Sequence, residues 1–144
     1  MYQRILLAYD GSVPGQQALL DCREIAQWSH SALTLIAVMP LPLTAIGPEG
    51  VYNEALQESE KNSYQTILDT GVRKLADAGL AAHGELVMGD AVHEIAHCAR
   101  RIGADLIVVG HKHLDGWTAR WWRGSVSKAL IEHAPCSVLV VITH

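Results

Sequence analysis

Four short apolar runs punctuate the chain without polar alternation: Ile5-Leu6-Leu7-Ala8-Tyr9, Leu33-Thr34-Leu35-Ile36-Ala37-Val38, Asp105-Leu106-Ile107-Val108-Val109-Gly110 and Ser137-Val138-Leu139-Val140-Val141-Ile142. A fifth run, 83–88, is weaker and polar enough to be an edge strand. Continuous apolar strands must be buried on both faces, which a parallel sheet flanked by helices achieves. The segments between the runs supply those helices. Ser12 can cap a helix that tolerates Pro14 in its first turn, with Ala18, Cys22, Ile25 and Ala26 recurring at helical spacing. A long helix is expected over 52–78, with Leu56, Tyr64, Ile67, Leu68, Val72, Leu75 and Ala76 as its inner stripe and Gly79 ending it. A third spans 91–102, turning Val92, Ile95, Ala96, Ala99 and Ile102 inward, and a short fourth runs from Gly124-Ser125 to His133 before Pro135. The order β-α-β-α-β-α-β-α-β, without linker or repeat, fits one α/β domain over 1–144 with right-handed crossovers.

Composition narrows the function classes. With 49% hydrophobic and 18% charged residues, the chain is of the folded kind. Its net charge of −4 disfavours nucleic acid and anionic membranes as main partners. No apolar stretch approaches the ~18 residues of a membrane span, and the start of the chain does not read as a secretory signal. Cys22, Cys98 and Cys136 are widely spaced and without a Cys-x-x-Cys pair, as in buried thiols of a reducing compartment. The expectation is a cytoplasmic protein.

In an open parallel sheet a ligand crevice opens where successive crossovers change direction. If the first three strands build outward from the first, the fourth returns to its other side. Asp10 and Gly110 then end neighbouring strands. Gly124-Ser125 starts the next helix, whose unpaired N–H groups and dipole favour an anion, and Ser127, Arg120 and Arg123 lie close by in sequence. The bland reading makes Asp10 a helix-capping carboxylate and Gly124-Ser125 an ordinary cap. Neither a Gly-x-x-x-x-Gly-Lys-Ser/Thr loop nor a Gly-x-Gly-x-x-Gly fingerprint is present.

The opening Arg4-Ile5-Leu6-Leu7-Ala8-Tyr9-Asp10-Gly11-Ser12, the run from Asp105 to Gly110, and Gly124-Ser125-Val126-Ser127 leading to His133-Ala134-Pro135-Cys136-Ser137-Val138-Leu139-Val140-Val141 together resemble the universal stress proteins over nearly the full length. That resemblance implies a flavodoxin-like, adenine-nucleotide α-hydrolase-like three-layer sandwich with a five-stranded parallel sheet of order 3-2-1-4-5. It implies a homodimer joined through the last strand, Val138-Leu139-Val140-Val141-Ile142. One branch binds ATP, with Mg or Mn where a metal accompanies it, through Gly-x-x-Gly, nine residues, then Gly-Ser/Thr. Carried onto this chain, Asp10 and the Val38 backbone would meet the adenosine part. Ala8 and Met88-Gly89 would line the pocket, Gly110 would sit near the ribose, and Gly124, Ser125, Val126 and Ser127 would surround the phosphates. The second motif glycine is His113 here, and ten residues rather than nine separate it from Gly124. Histidine resists the close approach that glycine permits. It could donate to a phosphate or close the site, and the second outcome would make the protein a nucleotide-free dimeric interaction module.

Other patterns compete for attention. His93-Glu94-Ile95-Ala96-His97 matches the His-Glu-x-x-His pattern of zinc hydrolases. Such an enzyme also needs a third ligand and a cleft, so the pair reads as an exposed helix face with room for an adventitious metal. His111-Lys112-His113 reads as a polar loop leaving a strand. Leu41, Leu43 and Ile46, in a Pro- and Gly-rich stretch over 39–50, suggest a lid or partner surface. Trp117, Trp121 and Trp122, interleaved with Arg120 and Arg123, suggest side chains packed back onto the body or a partner. No catalytic set is evident, so at most slow ATP hydrolysis is expected, with no resident metal site.

Overall fold

The computed structural model describes residues 2–41, 54–112 and 126–143. In chain order the elements are β1 (Arg4–Ala8), α1 (Val13–Ser29), β2 (Ala32–Met39), α2 (Glu54–Asp77), β3 (Ala82–Met88), α3 (Ala91–Ile102), β4 (Leu106–Lys112), α4 (Val126–His133) and β5 (Ser137–Thr143). All strand pairs are parallel, in the order β3-β2-β1-β4-β5. The expected three-layer α/β architecture and its strand order are therefore present.

Side chains leave a strand alternately to its two faces, and that period divides the core. Ile5 and Leu7 of β1 join Leu35 and Val108 beneath α1 and α2, where Ala18, Cys22, Leu68 and Leu75 meet them. Leu6 joins Ile36, Ile107 and Val109 on the other face, under Ile95, Cys98 and Ala99 of α3 and Leu130 of α4. Ile5, Leu6 and Leu7 are fully buried. Each stabilises the fold by about 1.5–3 kcal/mol relative to exposure.

Local chemistry sets the ends of the elements. The Ser12 hydroxyl accepts from the Gly15 N–H at 3.1 Å and caps α1, with Pro14 in the first turn. Asp90 caps α3 by accepting from the His93 N–H at 3.0 Å. The Asp105 carboxylate accepts from the backbone N–H groups of Gln3 (2.7 Å) and Arg4 (3.0 Å), which ties the start of β1 to the start of β4.

Two expectations need correction. Leu56 and Ala76 lie outside the inner stripe of α2: Leu56 is 54% exposed, and Ala76 is exposed too. His111 and Lys112 do not leave the sheet as a loop but extend β4, in register with Ile142 and Thr143 of β5. Ladder pairing is made by backbone groups, so polar side chains do not end a strand while a neighbour continues beside it.

Candidate functional site

The site grows out of the point where the crossovers reverse. β1 is flanked by β2 and β4, with Ala8 in register with Ile36 on one side and Val109 on the other. β1 stops there while both neighbours run on, and a cavity of about 300 Å³ opens beyond its end. Its apolar lining comes from Ala8, Ile36, Val38, Ala91, Ile95 and Val109, all from the α3–α4 side of the sheet or from α3 itself. Polar groups join from four elements: Asp10 after β1, Tyr64 of α2, His111 of β4 and Ser127 in the first turn of α4.

β2 offers this cavity more than side chains. Tyr9 donates its N–H to the Ile36 carbonyl at 3.0 Å, so the Ile36 peptide groups face β1. On the far side the Gly89 N–H donates to the Met39 carbonyl at 3.0 Å, so Met39 faces β3. Strand alternation therefore turns the N–H and C=O of Val38 toward the β1 side, one step past the end of the β1 ladder. A donor and an acceptor on one residue can read one edge of a heterocycle.

Two close backbone approaches fix the mouth. A Cβ on Gly110 would lie 2.1 Å from the Pro14 carbonyl oxygen and 2.7 Å from the Gly15 nitrogen, so only glycine lets β4 pass this close to α1. A Cβ on Gly15 would sit 2.7 Å from Asp10 Oδ1. That oxygen accepts from the Ser12 N–H at 2.9 Å and from the Ser12 hydroxyl at 2.5 Å. Asp10 thus does not itself cap α1, as the bland reading had it, but braces Ser12, which does, and it also lines the cavity. Burial, then the Asp10 charge, pushes the Tyr9 phenol above its ordinary value and keeps it neutral.

Of the residues singled out from sequence, Ala8, Asp10, Val38, Gly110 and Ser127 line this one cavity. Met88 and Gly89 end β3 beyond its lining, with Met88 37% exposed at the sheet edge. Val126 begins α4 beside Ser127. His113, Gly124 and Ser125 lie outside the described residues, as do the three loop tryptophans, Leu43 and Ile46. Sequence reasoning assigned no site role to Tyr64, His111, Gly15 or Ile95. Tyr64 sat on the inner stripe of α2, and a stripe gives no hint that a member in the amino-terminal half of the helix overhangs a crevice.

Other chemistries find little support. His93 and His97 are exposed on α3, and among the described residues no group of three or more His, Cys, Asp or Glu side chains could hold a metal. Burial, reinforced by the Asp21 charge, pushes the Cys22 thiol up to about 12. Cys98 is pushed up to about 11 by burial and by its hydrogen bond to Glu85. Both stay protonated and poorly nucleophilic at neutral pH. No described helix is long and apolar enough to cross a membrane. A larger hollow of about 400 Å³ lies at the opposite, amino ends of the strands, between α1 and β5. Its lining is mainly apolar, so the convergent polar groups single out the smaller cavity as the chemical one.

Comparison with known proteins agrees with this architecture. The model of the universal stress protein family matches residues 1–141. The universal stress protein YxiE of Bacillus subtilis is 30% identical over 149 residues, covering 98% of this chain and 99% of that one. A crystal structure of a universal stress protein family member from Burkholderia pseudomallei superposes with a TM-score of 0.78 at 28% identity, covering 97% of this chain and 96% of the other. A family protein from Arabidopsis thaliana, solved with AMP bound, shares the fold at a TM-score of 0.74 and 20% identity, with coverages of 99% and 92%. Sequence and fold agree over nearly the whole length: the chain belongs to the universal stress protein family.

Proposed function

We propose that this protein binds an adenine nucleotide, ATP in the first instance, in the cavity beyond the end of β1, as a regulatory ligand in a cytoplasmic stress response. The observation that carries the reading is convergence. Ala8 and Asp10, Val38, Gly110 and Ser127 come from four separate places in the sequence and border one cavity. Its apolar wall suits a flat base, the Val38 peptide groups suit a base edge, and the first turn of α4 suits phosphate. The volume, about 300 Å³ among the described residues, is at the small end of ligand sites and is of nucleoside scale. AMP in the Arabidopsis relative supports an adenine ligand in the same fold. Since no described group of three or more His, Cys, Asp or Glu side chains could hold a metal, and none lies at the cavity, Mg or Mn would enter on the phosphates.

Ligand occupancy can act at a distance only through different affinities for two states of the protein. Gly110 borders the cavity and pairs with Val141 of β5, which places the outer strand one step from the ligand. We propose that this strand joins two copies of the chain.

The departure at His113 favours a second reading, a nucleotide-free interaction module of the same family. Mass spectrometry of small molecules released from freshly purified protein separates the two. A stoichiometric adenine nucleotide is expected. Its absence, together with no binding on titration with ATP and magnesium, would transfer the case to the second reading.

A further inference from the structure

The nucleotide reading leaves His93 and His97 of α3 without a role. Both imidazoles are exposed and stand one helical turn apart, stacked with ring centroids 6.3 Å apart and planes within 7° of parallel. Their helix is firmly anchored. Asp90 caps its start, Ile95, Ala96, Cys98 and Ala99 are buried beneath it, and Gly103 ends it. The spacing between the two rings is therefore set by a rigid backbone. Residues at i and i+4 lie on one face of a helix, and two imidazoles so placed can share one cation with only side-chain rotation.

We propose that His93 and His97 form an exposed two-imidazole chelate for a divalent transition metal of the zinc, nickel or copper(II) class. Imidazole nitrogen suits these ions, whereas Mg and Ca prefer oxygen donors. The nearby positive charges are drawn aside: the Arg101 guanidinium pairs with Glu85 of β3, and that of Arg100 reaches the His133 carbonyl at 3.4 Å. No third imidazole, thiol or carboxylate among the described residues completes the set, so the remaining coordination positions are left to water or to a donor from another molecule. This distinguishes the site from the closed cage of a structural zinc and from a hydrolase, which fixes a third protein ligand and leaves one position for water. It is also independent of the nucleotide cavity, whose lining includes neither histidine.

The test uses the full chain without an affinity tag, stripped by chelator and titrated calorimetrically with zinc. One zinc per chain is expected. His93→Ala and His97→Ala should each lower the affinity by about a hundredfold or more, since a lone imidazole forfeits the gain from joining two ligands on one scaffold. Alanine favours helix, and both positions are exposed, so circular dichroism should show the variants folded. Zinc binding unchanged in either variant, no zinc binding by the unaltered chain, or loss of the site in His111→Ala instead would overturn the proposal.

Discussion

Of the glycines around the cavity, Gly110 meets the nearest obstacle to a side chain. The obstacle to a side chain there is the backbone of α1, which cannot rotate away as a flexible side chain would. Gly110→Ala should therefore destabilise the fold by about 1–3 kcal/mol, as overpacking does. Urea unfolding measures this, and an unchanged midpoint would show that β4 and α1 separate easily. The charged residues give a second prediction. Burial alone would raise the Glu85 carboxyl, but hydrogen bonds from Arg101 and Cys98, with the Arg101 and His83 charges, outweigh it and hold the group below its ordinary 4.5. Burial is likewise outweighed at Asp105 by the backbone donors of Gln3 and Arg4. A carboxylate held low stabilises the fold fully above its ordinary value, and that contribution fades as pH falls through the lower folded value. Glu85→Gln should thus cost stability at pH 7 and converge on the unaltered protein as pH drops below 4.5. An equal difference at both pH values would contradict this account of the Glu85 pair.

At the scale of elements, β5 is an edge strand with exposed apolar side chains. It closes the sheet at one edge, and its side chains Leu139 and Ile142 are 36% and 52% exposed. Beside it the hollow under α1 is bordered by Trp28, whose exposure is 85%. An unpaired strand edge with apolar side chains invites pairing. Ile142→Lys should convert the proposed dimer to monomer in sedimentation, while a monomeric unaltered chain would remove the proposal. The same elements show what sequence can reveal. Runs such as Ile5 to Ala8 on β1 and Leu106 to Val109 on β4 announce themselves because burial on both faces demands unbroken apolar residues. The extension of β4 through His111 and Lys112 did not, because it rests on backbone pairing with Ile142 and Thr143. Leu56 fits the α2 pattern and is nevertheless exposed, since periodicity predicts which face is apolar but not where its cover ends.

For the whole molecule, topology turns scattered residues into a site. Asp10 and Gly110 are a hundred positions apart, yet the return of β4 to the free side of β1 brings both to one cavity. That much follows from the element order once the first three strands build outward from β1. The contributions of Tyr64 and His111 do not, because they depend on how far α2 and β4 extend over the crevice. A ligand that binds only the folded state raises its stability by mass action, by about 2.7 kcal/mol at a hundredfold excess over Kd. The most direct measurement is therefore thermal unfolding with increasing ATP and magnesium, for the unaltered chain and for Asp10→Ala. The account predicts a Tm that climbs with nucleotide in the first and climbs much less in the second. A Tm indifferent to nucleotide in the unaltered chain, or an equal rise in both, would contradict it.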